Sequence, residues 1–138
     1  MKTASTILFA LLVLAGCSKS TVDPAPAPSK PFIAGTWQQE SSRVVLVGGG
    51  VPLDQTTHYA PGDVSLALTA AGTATYTSKN SAAISYPYAF DGTTLVFTTT
   101  AGSNSNEVTE LTDHRLQYVA KVPAFGSSTE IVTSTYTR

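Results

Sequence analysis

The residues from Phe32 to Arg138 predict an all-β domain, a small up-and-down antiparallel β-barrel of about eight to ten strands. Three observations carry this. No stretch after the N-terminal segment sustains a helical period across about eleven residues. Short runs alternate apolar with polar side chains, and Gly, Pro or Asn breaks them roughly every ten to twelve residues, as in a meander of local hairpins. An open sheet of so many strands would leave two long edges, and closure into a barrel removes them.

The elements follow in order. Met1-Lys2 is a short positive start, Ile7 to Leu14 is unbroken apolar chain, and Ala15-Gly16 are small residues directly before Cys17. This is the pattern of a secretory signal, too short to span a bilayer stably. The run Leu14-Ala15-Gly16-Cys17 resembles the lipobox of bacterial lipoproteins. The resemblance implies cleavage after residue 16, transfer of a diacylglyceryl group to the Cys17 sulfur, and acylation of the freed amine. Each buried methylene contributes about 0.8 kcal/mol, and more than one chain gives stable anchoring. Ser18, standing where Asp acts as an inner-membrane retention signal, implies the outer membrane. The lack of an acidic run after Cys17 favours its periplasmic face. Residues 17–31 hold four of the eight prolines and one branched aliphatic residue, Val22. Alternating Pro and Ala favour extended polyproline II geometry at about 3 Å per residue, so this stretch reads as a semi-rigid spacer between the anchor and the domain.

Within residues 32–138 the expected strands are Thr36–Ser42, Arg43–Val47, Leu53–Tyr59, Val64–Thr69, Thr73–Ser78, Ala83–Phe90, Thr94–Thr99, Asn106–Leu111, Arg115–Val122 and Thr129–Thr137. The clearest is Arg115–Val122, where Leu116, Tyr118, Ala120 and Val122 share one face, the signature of a sheet with one dry side. Asp91-Gly92 between Phe90 and Leu95 is the strongest hairpin signal, because Gly accepts the positive φ of tight turns.

Charge excludes one class of partner. Eight Lys and Arg stand against nine Asp and Glu, for a net charge of -1. With no basic cluster, nucleic acid is not an expected partner. Ser and Thr, 15 and 21 residues, supply the polar surface instead, and Thr packs well on a pleat. With Cys17 as the sole cysteine no disulfide can form within the chain, so core packing and the backbone ladder must hold the domain.

Catalytic chemistry finds no constellation. His58 and His114 lack further ligands at metal-binding spacing, so no metal or other cofactor is expected. The nucleophile elbow Gly-x-Ser-x-Gly is missing, and alternation puts Glu107 and Glu110 on opposite faces of a strand. The chain is therefore read as a non-enzyme. Binding is left: Tyr59, Tyr76, Tyr86, Phe90 and Tyr118, with Tyr88 and Phe97, could line a barrel mouth for a small apolar ligand, or could simply fill the core. The segments Gly48–Pro52, Gly102–Asn106 and Pro123–Ser128, rich in Gly, Ser and Asn, read as loops offering contacts to a protein partner.

Gly35-Thr36-Trp37 at the first strand, the Asp91-Gly92 hairpin, the run Leu111 to Leu116 and the terminal Thr135-Tyr136-Thr137-Arg138 together resemble the lipocalin-like domains of small Bacteroidota lipoproteins. The resemblance covers about Ala34 to Arg138. It implies that Trp37 plugs the closed end of the barrel and that Arg138 stacks over its ring, a contact worth on the order of 0.5–2 kcal/mol. It also implies a monomeric, lipid-anchored envelope protein that binds a small apolar ligand. The alternative is a non-catalytic interaction module, an envelope scaffold or hydrolase inhibitor, working through its loops.

Overall fold

A computed structural model describes residues 32–48 and 52–138. The signal segment, Cys17 and the proline-rich spacer lie outside the described residues, as does the middle of the Gly48–Pro52 loop. Nine strands form one antiparallel sheet: β1 (Gly35–Val47), β2 (Leu53–His58), β3 (Val64–Leu68), β4 (Thr73–Ser78), β5 (Ile84–Phe90), β6 (Thr94–Thr99), β7 (Gly102–Leu111), β8 (Arg115–Pro123) and β9 (Thr129–Thr137). No helix occurs among the described residues. The order is β2-β1-β3-β4-β5-β6-β7-β8-β9, and β1 also pairs with β9. The eight strands other than β2 thus close an up-and-down barrel of lipocalin-like form, and β2 is an extra strand on its rim.

The length of β1 gives the barrel its shape. Residues 35–38 pair with β3, residues 41–46 pair with β2 on the same edge, and the opposite edge pairs with β9 along residues 38–47. The β1–β9 register shifts between Gln39 and Ser41. An extra residue there changes which side chains face inward, so one continuous strand alternates in two phases. This corrects the expectation of separate strands Thr36–Ser42 and Arg43–Val47. Gly102–Asn106 is corrected as well: Gly102 to Ser105 pair with Thr99 to Val96, so the segment is the start of β7 rather than a loop. Ser103, Asn104 and Ser105 are small, polar and exposed, which made it resemble a loop, whereas Asn106 is buried and its Nδ2 donates to the Leu95 carbonyl at 2.9 Å.

Directly paired residues share a face, and the register places Trp37, Leu66, Tyr76, Tyr86, Phe97, Tyr118 and Tyr136 on the inner face. Trp37, Leu95 and Leu116 are 0% exposed, Leu66 1% and Tyr136 2%. At about 1.5–3 kcal/mol for each large side chain taken out of water, this packed end dominates the stability of a domain without disulfides. Trp37 Nε1 donates to the Ile33 carbonyl at 2.8 Å, so the indole fills the end without a lost donor.

At the Asp91-Gly92 turn, Gly92 adopts φ 106°, and the Asp91 carboxylate accepts the Thr93 and Thr94 amides at 2.9 and 2.7 Å. These bonds hold the Asp91 carboxyl below the usual carboxylate range.

Candidate functional site

Two regions of the barrel differ in chemistry, and both derive from β1. Its N-terminal half carries Trp37 at the closed end. There the Arg138 guanidinium carbon lies 4.1 Å from the centroid of the Trp37 ring. The same side chain donates to three carbonyls, Asp113 at 2.6 Å, Ala34 at 3.0 Å and Phe32 at 3.2 Å. Gly35 makes room for this: at φ 144°, a Cβ there would stand 2.5 Å from an Arg138 nitrogen. The contacts tie β9 to the start of β1, across the cap of the barrel.

Farther along the barrel the interior is aromatic. Tyr86 meets Phe97 edge-on at 5.4 Å, Phe97 meets Tyr118 at 6.0 Å, and Tyr118 stacks on Tyr136 at 5.7 Å. The Tyr118 and Tyr136 hydroxyls share a hydrogen bond at 3.1 Å. Burial pushes both phenols above the usual tyrosine range, Tyr136 well above it; Tyr118 raises Tyr136 further, whereas the hydrogen bond from Tyr136 partly offsets the rise at Tyr118. Tyr76 and Tyr86 are raised too, first by burial and then by neighbouring tyrosines.

Of the five candidate lining residues, Tyr76, Tyr86 and Tyr118 come together around this stack. Tyr59 follows β2 and influences Tyr76 from the rim. Phe90 is apart from them, opposite Leu95 on the β5–β6 hairpin and packed against the core. Tyr136 and Phe97 complete the stack. Tyr136 was not among the candidates, yet alternation with Ser134 and Val132 in β9 carries its signal. The best-formed surface grooves among the described residues are lined by other side chains than Trp37, Leu66, Phe97, Tyr118 and Tyr136. Ring-on-ring contacts run through this part of the barrel.

The second region is the far end. β1, β2, β8 and β9 extend there together, with Val47 opposite Thr129 and Thr129 opposite Pro123. Apolar side chains are exposed on it: Val47, Leu53, Val122 and, fully, Phe125. Leu53 and Phe125, with Val44, Leu46, Ala124, Ser128 and Glu130, line a groove of about 380 Å³. On the outer edge of the same sheet Arg43 grips Asp54 through two nitrogens at 2.8 and 2.6 Å.

The acidic pair has a different arrangement from the one expected. Glu107 lies opposite Val119 and Glu110 opposite Gln117, and a register shift separates them, so both carboxylates are on the outer face. Arg115 joins Glu110 at 2.9 Å and Glu40 at 3.6 Å. That arrangement is a solvated ion cluster bracing β1, β7 and β8. His58 and His114 are exposed, and no group of three metal-ligating side chains forms among the described residues. No helix among the described residues is long and apolar enough to cross a membrane.

No family model matches this chain, and no curated protein matches it. The fold itself defines the class: a small, closed, lipocalin-like β-barrel with one added rim strand.

Proposed function

We propose that this chain is a lipid-anchored cell-envelope protein whose barrel is a non-catalytic interaction module. In this reading residues 1–16 are removed, Cys17 carries the lipid, residues 17–31 span the gap to the domain, and the protein sits at the periplasmic face of the outer membrane. One observation carries the interaction role. Exposed apolar side chains gather at the end of the barrel opposite Trp37, with Phe125 fully exposed beside Leu53, while packed aromatic rings occupy the interior. Scattered exposed apolar residues are ordinary on a soluble surface, but a cluster around one groove marks a contact surface. The chain enters the domain at the Trp37 end, so the tether leaves the apolar end free to meet a partner.

Two measurements test the reading. Radiolabelled palmitate is expected in the full chain and lost in Cys17→Ala; equal labelling of both removes the anchor. A photo-crosslinking residue at position 125 in living cells is expected to give defined adducts that one at Thr75, on the barrel wall, does not. Equal adducts at the two positions remove the interaction role.

A second reading has one observation in its favour. Tyr59, Tyr76 and Tyr86 are only partly buried, so a small apolar ligand could rest on the tyrosine stack at the mouth. Native mass spectrometry of the protein purified from its host is then expected to show a bound mass that Tyr86→Ala loses.

A further inference from the structure

The closed barrel has one strand with a free side. Among the described residues nothing pairs with the second edge of β2, and all six of its residues are exposed. Free edges are commonly blunted by Lys, Pro or a bulge, and β2, reading Leu-Asp-Gln-Thr-Thr-His, has none of these. Its single charge, Asp54, is already met by Arg43.

The register says which backbone groups are free. Tyr59 N–H donates to the Glu40 carbonyl at 3.0 Å, one step beyond the pair Ser41 and His58. In an antiparallel ladder, residues that bond to the neighbour alternate with residues that do not. Leu53, Gln55 and Thr57 therefore turn their amides toward β1, and Asp54, Thr56 and His58 turn theirs outward.

We propose that β2 is a self-pairing strand: two copies of the chain join antiparallel along β2, about a two-fold axis at Thr56. The proposal rests on the interaction reading above and names its partner as a second copy, in place of the monomer expected from sequence. The sequence is self-complementary about that axis. Thr56 meets Thr56, Asp54 meets His58, Gln55 meets Thr57 and Leu53 meets Tyr59. Acid faces imidazole on the outer side, and an aliphatic chain faces an aromatic ring on the inner side. All three outward backbone positions are used.

A ladder this short is small beside the roughly 800 Å² per partner of a stable dimer. The exposed Leu53 side chain and the Tyr59 ring it meets in the other copy add apolar area at each end of the ladder, an aromatic side chain alone adding about 150–250 Å². The axis stands perpendicular to the sheet, so both tethers can reach one bilayer while the barrels lie side by side.

The test uses the full chain in its membrane. Opposed residues of a hydrogen-bonded antiparallel pair are about 5.5 Å apart at Cα, within the range of a disulfide. Thr56→Cys is expected to form a disulfide-linked dimer on mild oxidation that neither Gln55→Cys nor the unsubstituted chain forms. Asp54→Cys mixed with His58→Cys is expected to give a linked pair. Equal crosslinking of Thr56→Cys and Gln55→Cys overturns the proposal. Thr56→Pro provides a check free of cysteine, because it deletes an outward N–H and leaves the β1 ladder whole. It removes one hydrogen bond per copy, so self-association by sedimentation should weaken about tenfold with an unchanged β-sheet spectrum. Unchanged association overturns the proposal. If β2 gives no self-crosslink while position 125 still gives its adducts, the interaction reading stands and self-pairing alone falls; loss of both removes both.

Discussion

Arg138 lies over the face of Trp37 at 4.1 Å and, from the same guanidinium, bonds to the carbonyls of Ala34 and Phe32 that bracket the indole's own acceptor, Ile33. One side chain thus both covers the buried ring and fixes the backbone that leads to it.

Trp37→Ala should therefore be severe. Truncating a fully buried ring costs about 3–5 kcal/mol, and chemical denaturation would read it. A loss below about 1 kcal/mol would mean that the closed end repacks without the indole. Arg138→Lys should recover little of the loss in Arg138→Ala, because an ammonium lacks the planar fork that reaches separate carbonyls while stacking.

Gly35→Ala tests the close approach. The positive φ and the clash with Arg138 should together cost about 1–3 kcal/mol. In an Arg138→Ala background the clash is gone, and the same substitution should cost measurably less. Equal costs in the two backgrounds would show that backbone conformation alone requires glycine.

The Tyr118 and Tyr136 hydroxyls satisfy each other. Either single change to Phe leaves one buried hydroxyl without its partner, at about 1–3 kcal/mol, whereas the double change should cost less than the two singles added.

Alkali should act on the same pair. Their folded-state pKa values lie above the usual tyrosine range, so the stability they contribute is fully present below about pH 10. As the pH rises beyond that, the unfolded chain ionises first and stability falls. The thermal midpoint should drop between about pH 10 and 12, and the drop should shrink in the double Phe variant. An equal drop in that variant would locate the alkaline sensitivity elsewhere.

Phe97 stands between Tyr86 and Tyr118. Phe97→Ala should open a cavity at a cost of about 3–5 kcal/mol, and small aromatic compounds that leave the parent protein's midpoint unchanged should raise that of the variant. If they raise the parent's midpoint equally, the barrel already holds an accessible site.

Much of the barrel was legible because one physical rule, alternation against a single dry face, acts along most strands. Leu116, Tyr118 and Ala120 follow it in β8, whereas Val122, on the same face, emerges into solvent at the far end, and the Asp91-Gly92 turn follows from a positive φ. The rule fails at register shifts. Around Glu40 it broke one strand into two, and around Thr109 it set Glu107 and Glu110 on opposite faces when they share one. Gly102 to Ser105 were hidden differently: their strand faces water with small polar side chains, and only pairing with β6 reveals it. Aromatic residues could be picked out by type, but strand position decides their company. Tyr76, Tyr86 and Tyr118 meet, Phe90 packs on a hairpin, and Tyr136 enters from a strand whose inner face otherwise carries Ser134, Val132 and Glu130.

The ladder between β1 and β9 joins residues from opposite ends of the folded domain. As the chain is made from its N-terminus, β1 must wait for β9 before that edge is covered. Until then a thirteen-residue strand carrying Trp37 is open to mispairing with other chains. Folding should therefore be late and cooperative, and the newly made chain should be the form of this protein that most depends on a chaperone.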